Sequence, residues 1–323
     1  MGNILYEMAD YLNVTTMNMT QLDPSSPNPT SLLIYKATGL GILIITSLVF
    51  NSVSLVVLRR MREISVVTRV FLTSMTAADI AITVIFIPIF VSTIADKWIF
   101  GERCCAVIGY FAFSFSAIYY LALPLVNLER FIAIVLSFRY PSLVTVSRAR
   151  SVVVCAWGLP IITSFIVCSG REGVRYNPSI HLCVYASTNS MFLTLSLLGP
   201  VLVVFTAIMC VILCHVTGRH ARQIDAQERI AQTNAANNLE RKTLITFFIM
   251  TTCFTICLIP QAISNVSYNA NIAAGSNAWF LCFAQQLALS NTILNVLVYY
   301  WRTTAFRKAL TDTFADLKGT IYR

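Results

Sequence analysis

Long apolar runs dominate the chain, and short polar segments separate them. Seven runs reach the roughly 20 residues that a helix needs to cross the hydrocarbon of a bilayer. They are Thr38–Leu58, Thr68–Ser92, Cys104–Leu136, Ser151–Cys168, Met191–Val216, Thr243–Val266 and Ala278–Tyr300. Strands of a membrane β-barrel would instead alternate apolar and polar residues over about 10 positions. The pattern therefore predicts seven membrane-spanning helices, numbered here as the first to seventh spans.

The predicted fold class is an all-α membrane protein built on one seven-helix bundle. We expect the bundle over residues 38–300 and an extracellular segment over residues 1–37. No internal repeat and no second domain is visible in the sequence. The polar, acidic start of the chain indicates that the first span, rather than a cleaved signal peptide, directs insertion.

Composition supports a membrane location. Hydrophobic residues make up 57% of the chain and charged residues 11%, whereas soluble domains have about 45–50% and about 25%. Disordered chains are poor in apolar residues, so disorder is excluded as well. The net charge of +9 is typical of basic residues on the cytoplasmic side of a membrane, and we expect membrane lipid rather than nucleic acid as its partner.

The basic residues predict the orientation. With the N-terminus outside, the outer segments hold only five of the 23 Lys and Arg residues. These five are Lys36, Lys97, Arg103, Arg171 and Arg175. This bias predicts an outer N-terminus and an inner C-terminus. Asn13 and Asn18 begin glycosylation sequons in the outer segment, in agreement with this orientation.

Three of the ten cysteines lie outside the apolar interior of the spans. Cys104 and Cys105 begin the third span, and Cys183 lies in the loop before the fifth. The outer face is oxidising, so we expect a disulfide from this loop to the third span, through either Cys104 or Cys105. The three histidines are scattered and are expected to be solvated or loop residues. No His or Cys cluster has the spacing of a metal site, and none is predicted.

Polar residues within the spans are few. Asp79 is the only carboxylate in the middle of a span, and Asn51 is placed to face it. Asn291, Asn295 and Tyr299 recur every four residues, which places them on one helix face toward the bundle interior. One carboxylate with several amides suits a hydrated cation. The alternative is a structural hydrogen-bonding hub around Asp79.

Glu129 and Arg130 lie at the inner end of the third span. Arg130 either snorkels to the interface or pairs with Glu240 at the inner start of the sixth span. Such a pair would hold two helix ends together and could be released as a switch. Pro260 removes a backbone hydrogen bond in the sixth span and is expected to bend it.

Landmark residues occur in order along nearly the whole chain. They are Asn51, Ala77-Ala78-Asp79, Trp98-Ile99-Phe100-Gly101, Cys105, Glu129-Arg130-Phe131, Trp157, Cys183, Pro200, Phe254, Cys257, Pro260 and Asn295 through Tyr299. In this combination the chain resembles the rhodopsin-like (class A) G-protein-coupled receptors.

The resemblance implies a plasma-membrane receptor that binds an extracellular ligand and activates a heterotrimeric G protein through movement of the sixth span. It implies that Cys105, rather than Cys104, pairs with Cys183. It implies a coupling switch formed by Glu129, Arg130, Glu240, Pro260, Asn295 and Tyr299. It also implies a short amphipathic eighth helix and a cytoplasmic tail over residues 301–323.

Several positions depart from the family pattern. Phe131 replaces a Tyr, Val296 a Pro, Leu258 a Trp and Ile208 a Tyr. Tyr119 replaces a small polar residue in the family's sodium pocket, which Asn51, Asp79, Asn291 and Asn295 would form. The bulk of Tyr119 counts against sodium there, and no other cofactor is expected.

The resemblance also maps a ligand pocket by spacing. Its expected lining is Ala112, Phe113, Ser116, Phe192, Ser196, Leu258, Gln261, Asn265, Leu281 and Gln285. Amine receptors have an Asp where Ala112 stands, so a simple protonated amine is disfavoured. Opsins have a Lys where Leu289 stands, so retinal is excluded. A neutral or weakly polar ligand, or a short peptide, is expected.

Two other functions compete with a signalling receptor. A receptor-like decoy or partner subunit would explain Leu258 and Val296. A small transporter is disfavoured because broken helices and repeats are absent from the sequence. An enzyme is not expected, since no nucleophile–base set or metal cluster is visible.

Overall fold

The computed structural model describes residues 30–61, 64–136, 138–168, 174–178, 180–185, 197–209, 211–212, 215–216, 234–269 and 278–321. Within these ranges, the side chains of residues 134, 167–168, 185, 234–244, 247, 266–269 and 317–321 are outside the description. The predicted glycosylation sites Asn13 and Asn18 lie outside the described residues.

Six of the seven spans are helices long and apolar enough to cross a membrane. They are Thr30–Arg60, Val66–Ile94, Gly101–Val135, Val146–Cys168, Asn234–Asn269 and Ala278–Arg302. The fifth span is described as an apolar helix over Leu197–Met209. The first helix begins at Thr30 rather than Thr38, and the sixth begins at Asn234 rather than Thr243. Hydrophobicity marks only the part of a helix within hydrocarbon, so helices extend beyond the predicted limits.

The segments between the spans carry three further elements. On the outer side, the strands Val174–Asn177 (β1) and Leu182–Tyr185 (β2) form an antiparallel hairpin in which Tyr176 faces Cys183. On the inner side, a one-turn helix covers Tyr140–Leu143.

A final helix, Thr304–Ile321, follows the seventh span after a break at Thr303. Phe306 is buried and its ring stacks on Tyr299, with the centroids 6.2 Å apart. The Arg60 guanidinium lies 2.5 Å from the Asp316 carboxylate. These contacts hold the predicted eighth helix against the inner ends of the first and seventh spans, and the helix is longer than the sequence indicated.

Two apolar clusters fill the bundle. The inner cluster includes Leu123 and Val126 of the third span and Met250 and Phe254 of the sixth. The outer cluster joins the first, second and seventh spans, and its buried members are Leu40, Ile44, Ile85, Ile89 and Leu289. Many other apolar side chains lie on the outside of the helices, as the outer surface of a membrane bundle requires.

Candidate ligand cavity and polar core

A cavity of about 360 Å³ opens between the spans beneath the outer hairpin, within the usual range for small-molecule sites. Eight of the ten residues that the sequence assigned to a pocket line it. They are Ala112, Phe113, Ser116, Leu258, Gln261, Asn265, Leu281 and Gln285. The other two, Phe192 and Ser196, lie outside the described residues.

The hairpin covers this cavity because a disulfide attaches it to the third span. The bond joins Cys105 to Cys183, and Cys104 is a free thiol, which confirms the expected pairing. Gly109 lies directly under the hairpin. A Cβ at this position would collide with Val174 and would lie 3.1 Å from the Cys183 carbonyl oxygen. The close approach of strand and helix therefore requires glycine here.

Lys36 also lines the cavity, and the sequence did not single it out. Its side chain is only 4% exposed, and its ammonium Nζ donates a hydrogen bond to the Ile180 carbonyl in the hairpin. The spacing of apolar residues around Lys36 could have indicated that it is buried. Leu32, Lys36, Leu40 and Ile44 recur every four residues and are all buried, so Lys36 belongs to the interior face of the first span.

Gln286 of the seventh span positions this part of the first span. Its Nε2 lies 3.3 Å from the carbonyl oxygens of both Tyr35 and Lys36. A Cβ on Gly39 would overlap the Gln286 amide. Glycine therefore lets the two helices approach closely beside Lys36.

His181 lies in the loop between the strands and lines the cavity, but it is not solvated. It is 1% exposed, and its Nε2 lies 2.9 Å from Asp96 Oδ1. Burial lowers the pKa of the imidazole and the charge of Lys36 lowers it further, against the opposing effect of Asp96. His181 is thus a loop residue, as one of the two expected alternatives had it, but it is buried rather than solvated, in a hairpin that the disulfide joins to the third span.

Below the cavity, polar side chains meet as the seventh-span pattern predicted. Asn295 Nδ2 donates to Asp79 Oδ2 at 3.2 Å. Asn291 Nδ2 donates at 2.7 Å to the Tyr119 hydroxyl, which itself donates at 3.3 Å to the Ala288 carbonyl. Asn291, Asn295 and Tyr299 are all buried. Tyr119 therefore occupies the polar core, as its bulk indicated.

The sequence placed Asn51 to face Asp79, but among the described residues no hydrogen bond joins the two side chains. Asn51 Nδ2 lies 3.0 Å from the Ser47 carbonyl oxygen and 3.1 Å from that of Thr292. It thus joins the first span to the seventh rather than to the second. The sequence predicted its inward face but could not determine which neighbour it meets.

Several buried oxygens of this polar core have no hydrogen-bond partner among the described residues. They are Asp79 Oδ1, Asn51 Oδ1, Asn291 Oδ1, Asn295 Oδ1 and the Tyr299 hydroxyl. Buried polar atoms normally find a partner, so the core has capacity for water or another small polar species. The described residues contain no group of three or more His, Cys, Asp or Glu side chains placed to hold a metal.

At the inner end, Arg130 and Glu129 form an ion pair with Nε and Oε2 2.8 Å apart. Arg130 also donates to the Thr68 hydroxyl. Tyr140 donates to Glu129 Oε1 at 2.6 Å, and burial together with this bond raises the pKa of Tyr140 to about 12. The Glu240 side chain lies outside the described residues, so its pairing with Arg130 stays a prediction.

The sequence reasoning missed a contact that the structure does show between the third and sixth spans. Asn127 Nδ2 donates to the Thr251 hydroxyl at 2.9 Å, and that hydroxyl lies 3.2 Å from Asn127 Oδ1. Both residues are buried, at 3% and 1% exposure. The four-residue spacing of Asn127 and Leu123 on the buried face was the available signal, but a lone Asn or Thr in a span does not identify its partner.

Comparison with known proteins places these features in a common framework. A family model described as "7 transmembrane receptor (rhodopsin family)" matches residues 50–299. Squid rhodopsin superposes with a TM-score of 0.74 at 16% identity, over 90% of this chain and 88% of that one.

Curated relatives are similar at low identity. The chain is 22% identical to octopamine receptor beta-1R of Drosophila melanogaster over 91% of its length, and it spans 64% of that receptor. It is 22% identical to melatonin receptor type 1C of Gallus gallus, covering 84% of this chain and 80% of the relative. It is 25% identical to human adenosine receptor A2b, covering 74% and 77%.

Proposed function

The chain belongs to the rhodopsin family of seven-transmembrane receptors, and we propose that it binds an extracellular ligand in its cavity and activates a heterotrimeric G protein. It is a multi-pass membrane protein. Its relatives are receptors rather than enzymes. Their names specify different ligands, so the ligand of this chain must be argued from its own cavity.

One observation carries the proposal: a single helix touches both the cavity and the inner contacts. Leu258 and Gln261 of the sixth span line the cavity, and Thr251 of the same helix bonds to Asn127. These positions are seven to ten residues apart, or about 10–15 Å along the helix. A ligand that shifts Leu258 therefore acts on the Asn127–Thr251 bond through the roughly two helical turns that join these positions on the inner side of Pro260.

The proposed switch is a two-state equilibrium of the sixth span. A ligand moves such an equilibrium only by binding one state better than the other. Pro260 lies beside the cavity and removes a backbone hydrogen bond, so it is the proposed pivot. Outward movement of the inner half would break the Asn127–Thr251 bonds and open a cleft beside Arg130 for the G protein.

The pairing of Arg130 with Glu240 remains part of this proposal. In the structure, Glu129 and Thr68 already bind Arg130, so a Glu240 contact would have to share the guanidinium with them. Ion pairs near water contribute only about 0–1 kcal/mol. We therefore assign the larger part of the resting restraint to the buried Asn127–Thr251 contact.

A receptor-like protein without signalling is the second candidate. Two positions favour this candidate. Leu258, which is buried and lines the cavity, stands where the family has Trp. Val296 stands where the family has Pro. The sixth and seventh spans thus each lack one residue that is typical of the family, whereas the third span retains Arg130.

Nucleotide exchange on a panel of purified G proteins, with the receptor in lipid bilayers, separates the two candidates. We expect exchange above the receptor-free background for at least one G protein. An Arg130→Ala receptor at equal amount is the control and should lose this exchange. Exchange that never exceeds background, with or without ligand, would establish the non-signalling candidate.

A further inference from the structure

We propose that the cavity binds a long unbranched amphiphile with a single negative charge on its head, and that the Lys36 ammonium holds this head. The inference rests on the proposed function in that it takes the cavity to be the ligand site. Lys36 is a cation at the outer end of a largely apolar cavity, which is the arrangement that an anionic head and an apolar tail require.

The charge of Lys36 lacks a counter-charge among the described residues. An ammonium has three N–H donors, and one of them serves the Ile180 carbonyl. The ion pairs of the described chain are Arg60–Asp316, Arg130–Glu129 and His181–Asp96, and Lys36 takes part in none. A buried cation is costly unless it is paired and hydrogen-bonded. A carboxylate on the ligand would supply both the charge and the missing acceptors.

The cavity is long and apolar beyond this cation. Its lining follows the seventh span from Ala278 to Thr292, a distance of about 21 Å at the rise of an α-helix. Its apolar lining includes Ile85, Phe86 and Ile89 of the second span and, from the third, fifth and sixth spans, Phe113, Leu202 and Leu258. Apolar surface of this extent favours an acyl chain, since each buried methylene contributes about 0.8 kcal/mol.

The number of charges favours a carboxylate over a phosphate. His181 is the other titratable base in the described lining, and burial with the nearby Lys36 charge lowers its pKa. At neutral pH Lys36 is therefore the one cationic side chain in the described lining, and Asp96, which binds His181, is not part of that lining. A carboxylate carries one negative charge, whereas a phosphate monoester carries about −1.5 to −2 and would leave buried negative charge unpaired.

The test measures direct binding to the purified receptor in bilayers of neutral phosphatidylcholine, without G protein. Radiolabelled oleate is the probe. Oleyl alcohol is the same chain with a neutral head, and oleoyl lysophosphatidate carries the phosphate head. The variants are Lys36→Gln, Lys36→Arg and, as a matched control on the outer side, Lys97→Gln, whose side chain is exposed.

We expect saturable oleate binding that Lys36→Gln weakens about tenfold or more, because removing one partner of a buried charge pair leaves the other unpaired. Lys36→Arg should keep most of the affinity and Lys97→Gln all of it. Oleyl alcohol should bind less tightly than oleate. Both probes are measured on the wild-type receptor, so this comparison does not depend on whether a variant folds.

Three results would overturn the proposal: no saturable oleate binding, equal binding of oleate and oleyl alcohol, or tighter binding of the phosphate analogue than of oleate. Oleate binding to a receptor that fails the nucleotide-exchange test would sustain this inference and reject the signalling role. Nucleotide exchange by a receptor that does not bind oleate would support the signalling role and reject this inference.

Discussion

Asp96 and His181 come from two different outer segments and meet through a 2.9 Å contact between Oδ1 and Nε2. Both have left-handed backbone conformations, with φ of 49° and 53°, which non-glycine residues rarely adopt. The backbone therefore turns sharply at both residues that make this contact. The contact links the turn after the second span to the hairpin that covers the cavity.

The buried imidazole of His181 predicts a loss of stability on acidification. Burial, followed by the charge of Lys36, lowers the pKa of His181 in the folded protein, against the opposing effect of Asp96, while Tyr176 faces the ring at a centroid distance of 6.3 Å. The unfolded chain then binds more protons than the folded one as pH falls below the ordinary His pKa of about 6.5. Stability present above that pH is therefore lost as pH decreases toward the lowered value.

The measurement is thermal unfolding of the receptor between neutral pH and about pH 5. We expect the melting temperature to fall on acidification. In a His181→Gln receptor the same change of pH should lower it less. Identical pH profiles for the two proteins would show that His181 does not contribute.

Removing the hydroxyl of Thr251 should raise ligand-free signalling. Thr251→Val keeps the shape of the side chain and deletes the buried bonds to Asn127. A net loss of about 1 kcal/mol from the resting state shifts the equilibrium roughly fivefold. Basal nucleotide exchange at equal receptor amount measures it.

Thr252→Val is the matched control, because the one bond of the Thr252 hydroxyl within the described part of the chain goes to the Phe248 carbonyl of its own helix, at 2.9 Å. This variant should leave basal exchange unchanged. An equal increase in both variants would mean that the sixth span responds to any lost hydroxyl and that the Asn127 contact is not the restraint.

Tyr119 should make the receptor insensitive to sodium. Its hydroxyl accepts a hydrogen bond from the Asn291 side-chain amide. This bond lies beside the hydrogen bond from Asn295 to Asp79. Replacing sodium by choline should therefore leave basal exchange of the wild type unchanged. Tyr119→Ser opens space for a cation among oxygen ligands and should make exchange decrease with sodium.

Tyr119→Phe keeps the ring in place and should behave as the wild type does toward sodium. Adding Asp79→Asn to Tyr119→Ser should abolish the new response, since the carboxylate supplies the charge of the site. A sodium effect in the wild type would contradict the assignment of Tyr119 as the group that fills this space.

Breaking the Cys105–Cys183 bond should destabilise the receptor. The cysteines are 78 residues apart, and a disulfide closing a long loop contributes about 2–4 kcal/mol. Replacing both by Ser should lower the melting temperature and weaken binding in the cavity, because the hairpin is no longer held over it. Cys104→Ser, which removes a free thiol, should do neither.

Octopamine and other simple protonated amines should show no saturable binding. The described lining of the cavity contains no carboxylate and does contain Lys36, so a second cation would be repelled and would lack a counter-charge. Competition against a bound fluorescent probe measures this. Saturable amine binding that depends on a lining residue would contradict it.

The number and order of the spans, their orientation and the family were readable from the sequence. These properties are local. Bilayer thickness sets the length of each apolar run, and the distribution of Lys and Arg sets the orientation. The inward face of the seventh span was equally readable, because Asn291, Asn295 and Tyr299 cannot all face lipid.

The tertiary structure decided which side chains meet across the bundle. Lys36 reaches Ile180, 144 residues away, and Asn127 reaches Thr251, 124 residues away. A span surrounded by lipid is apolar on its outer face as well as on its inner face, so hydrophobic patterning does not reveal how the helix is rotated or which neighbour it contacts. Only the packed bundle places a buried cation in an apolar cavity, and that placement determines which ligand chemistry the cavity favours.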